Sequence, residues 1–372
     1  MAYIICLSSS RWHKTPTRTQ RLLTQLNRYH KILFFQPPPA RLSRDPRRND
    51  YKKKGRRVQE NITVYTLPPI FSVTDDTHPF LLRRNIKKMA DYIAAQAVRQ
   101  NVRNALVWAC SPLYATLLET LDYQGLVYDC FQDWPEFDIH WESLLANRAD
   151  VLFAASPGLV DHLAPCNSNI ALLPNGGDRK LFSKADDLTL QVPAPLLRIR
   201  GPLFGYLGDV SRDVDLRPVY QAARAHAAWS FVFAGRCSQA NPLYRHMKQL
   251  SNVHFLGKID RLNLPGYAAQ FDVLIDLLDT DDPDEDVVPS RIYEYLMVGK
   301  PIAAMYPARF IPVYPDVIYG ARSPKEFVDA CYQAVLENSA WAPASRRQYG
   351  AEAAWELRAA EAERILESNG LL

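Results

Sequence analysis

An arginine and a glutamate one helical turn apart, Arg291 and Glu294, mark the stretch whose residue types and spacing best suit chemistry. They lie in Pro289-Ser290-Arg291-Ile292-Tyr293-Glu294-Tyr295-Leu296-Met297-Val298-Gly299-Lys300-Pro301. The stretch reads as a helix with Pro289 in its first turn and Gly299 and Pro301 as its stop. A fixed cation at a helix N-terminus suits a phosphate. A carboxylate one turn further on can accept two hydrogen bonds from a ribose diol. The apolar run at 273–278 comes just before, so the helix starts where an open parallel sheet holds its ligands. One reading is a nucleotide-diphosphate site; the other is a surface helix with an incidental Arg–Glu pair.

The run Asp279-Thr280-Asp281-Asp282-Pro283-Asp284-Glu285-Asp286 contains an Asp-x-Asp, a pattern that hard cations favour. Such a pattern is common by chance, and a solvated acidic loop is the better reading, so no metal is expected. The six cysteines stand singly, without a CxxC pair or a close Cys/His cluster, which argues against structural zinc. No GxGxxG follows any apolar run, which disfavours a nicotinamide oxidoreductase.

The elements that must position these residues alternate. Apolar, β-rich runs at 2–8, 31–36, 62–67, 104–110, 125–130, 149–155 and 168–173 are separated by helical periodicity at 16–28, 78–100, 113–121, 139–147 and 157–164. The alternation resumes with strands at 203–208, 229–235, 253–257, 273–278, 302–305 and 316–319. Helices are expected at 214–227, 264–270 and 324–337, and a long helical tail at 345–368. This is the pattern of an α/β chain with two doubly wound, Rossmann-like domains in series, facing each other across a cleft. The expected division is a first domain at 1–185, a linker at 186–200, a second domain at 201–345, and a helical segment at 346–372 packing back on the first domain. Loops after the strands should carry the site. They hold Ser8-Ser9-Ser10-Arg11-Trp12-His13, Gln132-Asp133-Trp134, Pro174-Asn175-Gly176-Gly177-Asp178, Gly208-Asp209-Val210-Ser211-Arg212, Gly235-Arg236 and Gly257-Lys258-Ile259.

The chain has 372 residues, 48% of them hydrophobic and 23% charged, the composition of a globular protein able to bury two cores. No apolar run reaches the roughly 18 residues that span a bilayer. The apolar N-terminus, without a basic lead, reads as a first strand and points to a cytoplasmic protein. Net charge is +4, with lysine and arginine concentrated in the first third. Arg47, Arg48, Lys52, Lys53 and Lys54 crowd one polar loop, which suits an anionic membrane surface or a solvated loop equally; no nucleic-acid module accompanies it.

Several motifs, taken in order, resemble a known family. Tyr128-Asp129 with Asp133-Trp134, Ala149-Asp150-Val151, Ala155-Ser156, Pro174-Asn175-Gly176, Gly205-Tyr206, Trp229-Ser230-Phe231 and the stretch from Pro289 to Pro301 are similar to bacterial GT-B glycosyltransferases. The likeness is to the group-1, family 4-like branch, including enzymes of surface-polysaccharide assembly. It implies transfer of a sugar from a nucleotide donor, UDP-linked in the first instance, to the hydroxyl of a saccharide or lipid-linked acceptor. It implies retention of configuration, and neither a metal nor any other cofactor. Carried onto this chain, it gives Glu294 the ribose hydroxyls and Arg291, with Ser290, Tyr293 and the helix start, the diphosphate. Asp286, eight residues before Glu294, stands where the branch's first acid contacts the sugar. Gly208 and Arg212 would sit by the diphosphate, with Arg236 as a further cation, and Gly257 and Ile259 by the base. If the enzyme inverts, Asp133 is the first candidate base and His13 the second. Trp12, Trp134 and Asn175 would line the acceptor side, and Asp129 reads as buried and structural. A GT-B sugar-nucleotide epimerase and a non-catalytic sugar-nucleotide or polysaccharide binder are the alternatives.

Overall fold

The computed structural model describes residues 2–13, 15–26, 28–37, 54–68, 79–135, 139–187, 189–212, 214–277, 286–306 and 316–372. The chain divides into two compact units, residues 1–174 with 356–372, and residues 175–355.

In the first unit the strands are β1 (Tyr3–Leu7), β2 (Lys31–Gln36), β3 (Arg56–Gln59), β4 (Ile62–Thr66), β5 (Leu106–Ala109), β6 (Gly125–Cys130), β7 (Val151–Ala154) and β8 (Ile170–Leu172). They form one sheet in the order β3-β4-β2-β1-β5-β6-β7-β8, parallel throughout except for β3 against β4. Helices α1 (Arg18–Leu26), α2 (Pro79–Arg99), α3 (Ile139–Arg148) and α4 (Pro157–Leu163) cross between strands. The central strands are apolar on both faces and fully buried, as a sheet covered by helices on both sides requires. Asp129, on β6, is wholly buried. It accepts from Arg18 Nε at 3.0 Å and Trp108 Nε1 at 3.4 Å, while Arg18 Nη2 donates to Leu173 O at 2.7 Å. A buried carboxylate so partnered belongs to the scaffold.

Two expectations needed revision here. Residues 113–121 form two short 3₁₀ turns, Pro112–Tyr114 and Leu117–Thr120, in place of a helix. Ser111 caps the first turn through its side chain, and the chain is extended again at Leu121. The edge strand β3 was not expected, because Arg-Arg-Val-Gln carries no apolar alternation; charge of this kind is how exposed edges are kept from pairing further.

The second unit contains α5 (Arg179–Phe182), β9 (Leu203–Leu207), α6 (Arg217–Ala225), β10 (Ser230–Ala234), α7 (Tyr244–Met247), β11 (Val253–Phe255), α8 (Leu264–Gln270), β12 (Val273–Leu277), α9 (Ser290–Val298), β13 (Ile302–Met305), β14 (Tyr319–Ala321), α10 (Pro324–Val335) and α11 (Ala342–Glu352). Its sheet is wholly parallel, in the order β11-β10-β9-β12-β13-β14. The strand order reverses between β9 and β12, and in such sheets ligands bind at the carboxyl ends beside that reversal. Residues 175–200, assigned by sequence partly to the first domain and partly to a linker, group with this unit. Leu181, Phe182 and Leu196 are buried in its core.

The tail is two helices, α11 and α12 (Trp355–Ser368), although its Ala/Glu/Arg composition favours one. The break is tertiary. Gly177 N donates to Ala353 O at 2.9 Å and Trp355 N to Gly177 O at 3.1 Å, which takes two backbone groups that a continuous helix would need. Residues 356–372 group with the first unit, where Glu363 meets His30 Nε2 at 3.0 Å and Asn369 Oδ1 accepts from Asn169 Nδ2 at 2.9 Å.

Candidate functional site

Helix α9 runs from Ser290 to Val298, with Pro289 as its N-cap, one position earlier than the first-turn place expected. No side chain caps it, so its first amides are not consumed by a local acceptor side chain. Gly299 closes it in the left-handed conformation at φ 78°. Every residue from Ile292 to Val298 is buried, because α9 lies between the sheet and α11.

Arg291 stands at the strand-order reversal. Its Nε donates to Asp276 Oδ1, on β12, at 2.6 Å, and its guanidinium lies over the ring of Tyr206, on β9, 4.8 Å from the centroid. Asp276 is wholly buried and its Oδ1 also accepts from Leu277 N at 2.8 Å. Burial alone would favour a neutral Arg291, but the Asp276 charge and the flanking tyrosines outweigh it and hold the guanidinium more firmly protonated. Burial pushes the Tyr206 phenol up to about 12, opposed by Arg291. Tyr295 adds a tie between helix and sheet, its hydroxyl accepting from Leu207 N at 2.8 Å.

Glu294, 5% exposed, faces Arg261, which bonds its Oε1; Asp178 lies 3.7 Å from the same Arg261 nitrogen. The guanidinium of Arg261 rests over the Phe182 ring, 5.8 Å from its centroid. Gly177 packs against the helix beside Glu294: a Cβ there would come within 2.8 Å of Met297 Cε and 3.1 Å of Glu294 N. The Asn175-Gly176-Gly177-Asp178 loop is thus pressed onto α9, and Asn175 Nδ2 fixes the approach to the helix by donating to Val288 O at 3.0 Å. Asn175 was an acceptor-side candidate; this bond ties it to the approach to α9. Asp286 is 4% exposed on that approach. Tyr293 is buried in the core with Ile292 and Tyr295.

Arg236 is taken up by Asp209. Its backbone N donates to Oδ1 at 2.8 Å, and Nε and Nη2 to Oδ2 at 3.0 and 2.6 Å, joining the loops after β9 and β10. Burial alone would raise the Asp209 carboxyl, but Arg236 and the charge of Lys258 leave it below its usual range. Gly208 and Gly257 hold positive φ, 128° and 73°, Ile259 packs partly buried against the core, and Arg212 is exposed. Gly235 permits the loops to meet: a Cβ there would fall 1.9 Å from Gly208 O, a backbone atom that cannot swing aside. Gly235→Ala is therefore expected to cost about 1–3 kcal/mol of stability by chemical denaturation, with the Asp209–Arg236 bridge displaced.

In the first unit, Asp133 and His13 are exposed. Trp134 is 9% exposed and packs edge-on to Phe131, with centroids 5.9 Å apart, so it does not present an open face to a sugar. Trp12 is half-buried, edge-on to Phe34 at 5.0 Å. Arg47, Arg48, Lys52 and Lys53, and the acidic run 279–286 apart from its terminal Asp286, lie outside the described residues. Lys54 is described and exposed. No helix among the described residues is long and apolar enough to cross a membrane.

Sequence reasoning missed Arg261 and Asp276. A carboxylate in the apolar run Val-Leu-Ile-Asp-Leu was a legible signal, since a buried charge demands a partner. Arg261 offered none, because its partner is set by the approach of two elements distant in sequence.

Two largely parallel, helix-covered sheets, the second with a reversal in strand order, are the architecture of the GT-B glycosyltransferase fold, and solved structures agree. The fold matches sucrose-phosphate synthase from Thermosynechococcus elongatus (TM-score 0.72, 15% identity, 99% of both chains). It also matches an α,α-trehalose-phosphate synthase (UDP-forming) from Burkholderia vietnamiensis (TM-score 0.73, 12% identity, 100% and 99%). A third match is Anabaena HepE, solved with UDP and glucose (TM-score 0.67, 14% identity, 99% and 100%). By sequence, the chain is 22% identical over 264 residues to a Bacillus subtilis (strain 168) protein named as a teichuronic acid biosynthesis glycosyltransferase, TuaH. That match spans 64% of this chain and 65% of the relative. No protein-family model matches the chain.

Proposed function

We propose that the chain is a glycosyltransferase that takes a sugar from a nucleotide-diphosphate donor, UDP-linked, and delivers it to a saccharide hydroxyl with retention and without a metal. The observation that carries this reading is Arg291, tethered by Asp276 at the β9/β12 reversal, with Glu294 one turn along the same helix. Asp276 uses the Nε donor and fixes the plane of the guanidinium, leaving the terminal nitrogens to meet phosphate oxygens in a forked arrangement. The N-terminal end of α9, which no side chain caps, adds partial positive charge. Glu294 accepts from the ribose diol, with Arg261, itself flanked by Asp178, holding its carboxylate in position.

In the step itself, the bond from the anomeric carbon to the β-phosphate oxygen breaks, and a bond from that carbon to the acceptor oxygen forms. The acceptor proton passes to the departing phosphate on the same face. Arg291 and the helix start stabilise the charge that develops on that phosphate. HepE, solved with UDP and glucose, and the UDP-forming trehalose-phosphate synthase support the choice of nucleotide, and the TuaH likeness supports a polysaccharide acceptor.

The test is a panel of nucleotide sugars. At a donor concentration a hundredfold above Kd, the correct donor should raise the Tm by about 5–10 °C. Radiolabelled donor with saccharide extract should then yield labelled product. Epimerised donor without transfer would assign an epimerase, and binding without turnover a non-catalytic binder.

A further inference from the structure

Arg261 follows the loop Gly257-Lys258-Ile259, and its backbone is set locally. Asp260 caps the 3₁₀ turn Arg261–Asn263 by accepting from Leu262 N at 2.9 Å. The guanidinium is then held from three directions. Its Nη2 bonds Glu294 Oε1, Asp178 Oδ2 lies 3.7 Å from the same nitrogen, and the Phe182 ring lies under it, 5.8 Å from centroid to carbon. A side chain clamped in this way has one orientation, and that orientation decides which donors are left for a ligand.

The donor left is Nε. It is buried and has no hydrogen-bond partner among the described residues. Its N–H lies on the guanidinium edge that it shares with Nη2, so the two donors point the same way. Arg236 shows this edge at work, with Nε and Nη2 both on Asp209 Oδ2. On Arg261, an oxygen placed beside Glu294 Oε1 would complete the fork. Two other buried polar atoms of the site also have no partner, Asp276 Oδ2 and the Tyr206 hydroxyl, each on a side chain that touches Arg291. Such atoms are few in folded proteins. Three of them on the side chains that hold Arg291 and Glu294 point to a ligand with polar groups of its own.

We infer that Arg261 is a nucleotide-binding residue: one ribose hydroxyl donates to Glu294 and accepts from Arg261 Nε. The inference rests on the donor-site reading of Glu294 and adds a second contact atom to it. A carboxylate alone asks only for a donor. The Arg261–Glu294 pair asks for a group that donates and accepts at one atom, which is a hydroxyl. Gly257, expected by the base, lies just upstream of Arg261, with a positive φ of 73° and open space where a Cβ would stand. A base at that loop would bring its own ribose to Arg261.

Isothermal titration of the full chain with UDP, 2′-deoxy-UDP and 3′-deoxy-UDP tests this. Removing the shared hydroxyl loses two hydrogen bonds, and removing the other loses one. One deoxy analogue should therefore bind at least about tenfold more weakly than the other. Arg261→Lys keeps a charge for Glu294, but a compact ammonium does not present two parallel donors. It should weaken UDP by about tenfold and bring the two analogues within about threefold of each other. Arg261→Gln, measured alongside, should do the same, and the Tm of each variant without nucleotide separates loss of fold from loss of contact. Should both variants unfold, the parent's discrimination decides. Equal affinity of the parent for the two analogues overturns the inference. So does an Arg261→Lys chain in which UDP and both analogues weaken alike, since Arg261 would then only support Glu294. A parent chain that binds no UDP brings down the UDP-donor reading and the inference with it; one that binds UDP without discriminating the analogues brings down the inference alone.

Discussion

Glu294→Gln is expected to lower kcat/KM for the donor by about a hundredfold or more while the chain stays folded. A carboxylate accepting two hydrogen bonds from a diol makes charge-assisted contacts of about 1.5–3 kcal/mol each. Losing the charge weakens both, and every 1.4 kcal/mol is about tenfold. Glutamine keeps the volume of the side chain and one oxygen that can still accept from Arg261, and Asp178 remains 3.7 Å from that guanidinium. The stability loss should therefore be about 1–2 kcal/mol, the size of one weakened hydrogen bond. Isothermal titration with UDP separates the ribose contact from the chemistry, because the loss should appear in nucleotide affinity. Unchanged UDP affinity in Glu294→Gln would exclude the ribose role, whatever happened to turnover.

The legible and illegible parts of the molecule divide along physical lines. Helix α9 was readable because its ends are written locally: Pro289 at the front, and at the back Gly299, which takes a positive φ, followed by Pro301. The buried parallel strands were readable because both faces need apolar residues. The division of the tail into α11 and α12 was not, since the cause is Gly177, far away in sequence, capturing Ala353 and Trp355. The boundary at 174/175 was obscured in the same way: the proline-bearing polar stretch looks like a linker, yet Leu181, Phe182 and Leu196 within or beside it are core. At the site, motif spacing pointed to Arg291 and Glu294. It could not show that each is held by an opposite charge, Asp276 for one and Arg261 for the other. Nor could it show that Arg236, a candidate for the diphosphate, is bridged to Asp209.

The Arg291–Asp276 pair allows the scaffold role and the catalytic role to be pulled apart. Arg291→Met should destabilise the second unit by about 3–5 kcal/mol, because it leaves the wholly buried Asp276 without its countercharge. Asp276→Asn should cost less, since asparagine still offers an oxygen to Leu277 N and to the guanidinium, which is partly solvated. In the double variant the charge to be compensated is gone, so much of the loss in Arg291→Met should return. The coupling energy in a double-mutant cycle should be about 1–3 kcal/mol, as for other residues in direct contact. Turnover should follow a different course. Donor cleavage should fall by at least about a hundredfold in Arg291→Met, as when a fixed donor to a developing charge is removed. It should stay low in the double variant, because restoring the packing does not restore a cation at the phosphate. Arg291→Lys tests the geometry: an ammonium keeps the charge but cannot hold Asp276 and a phosphate in one plane while lying over Tyr206. A double variant that regained turnover together with stability would show that the pair only holds α9 in place, and the phosphate role of Arg291 would fall.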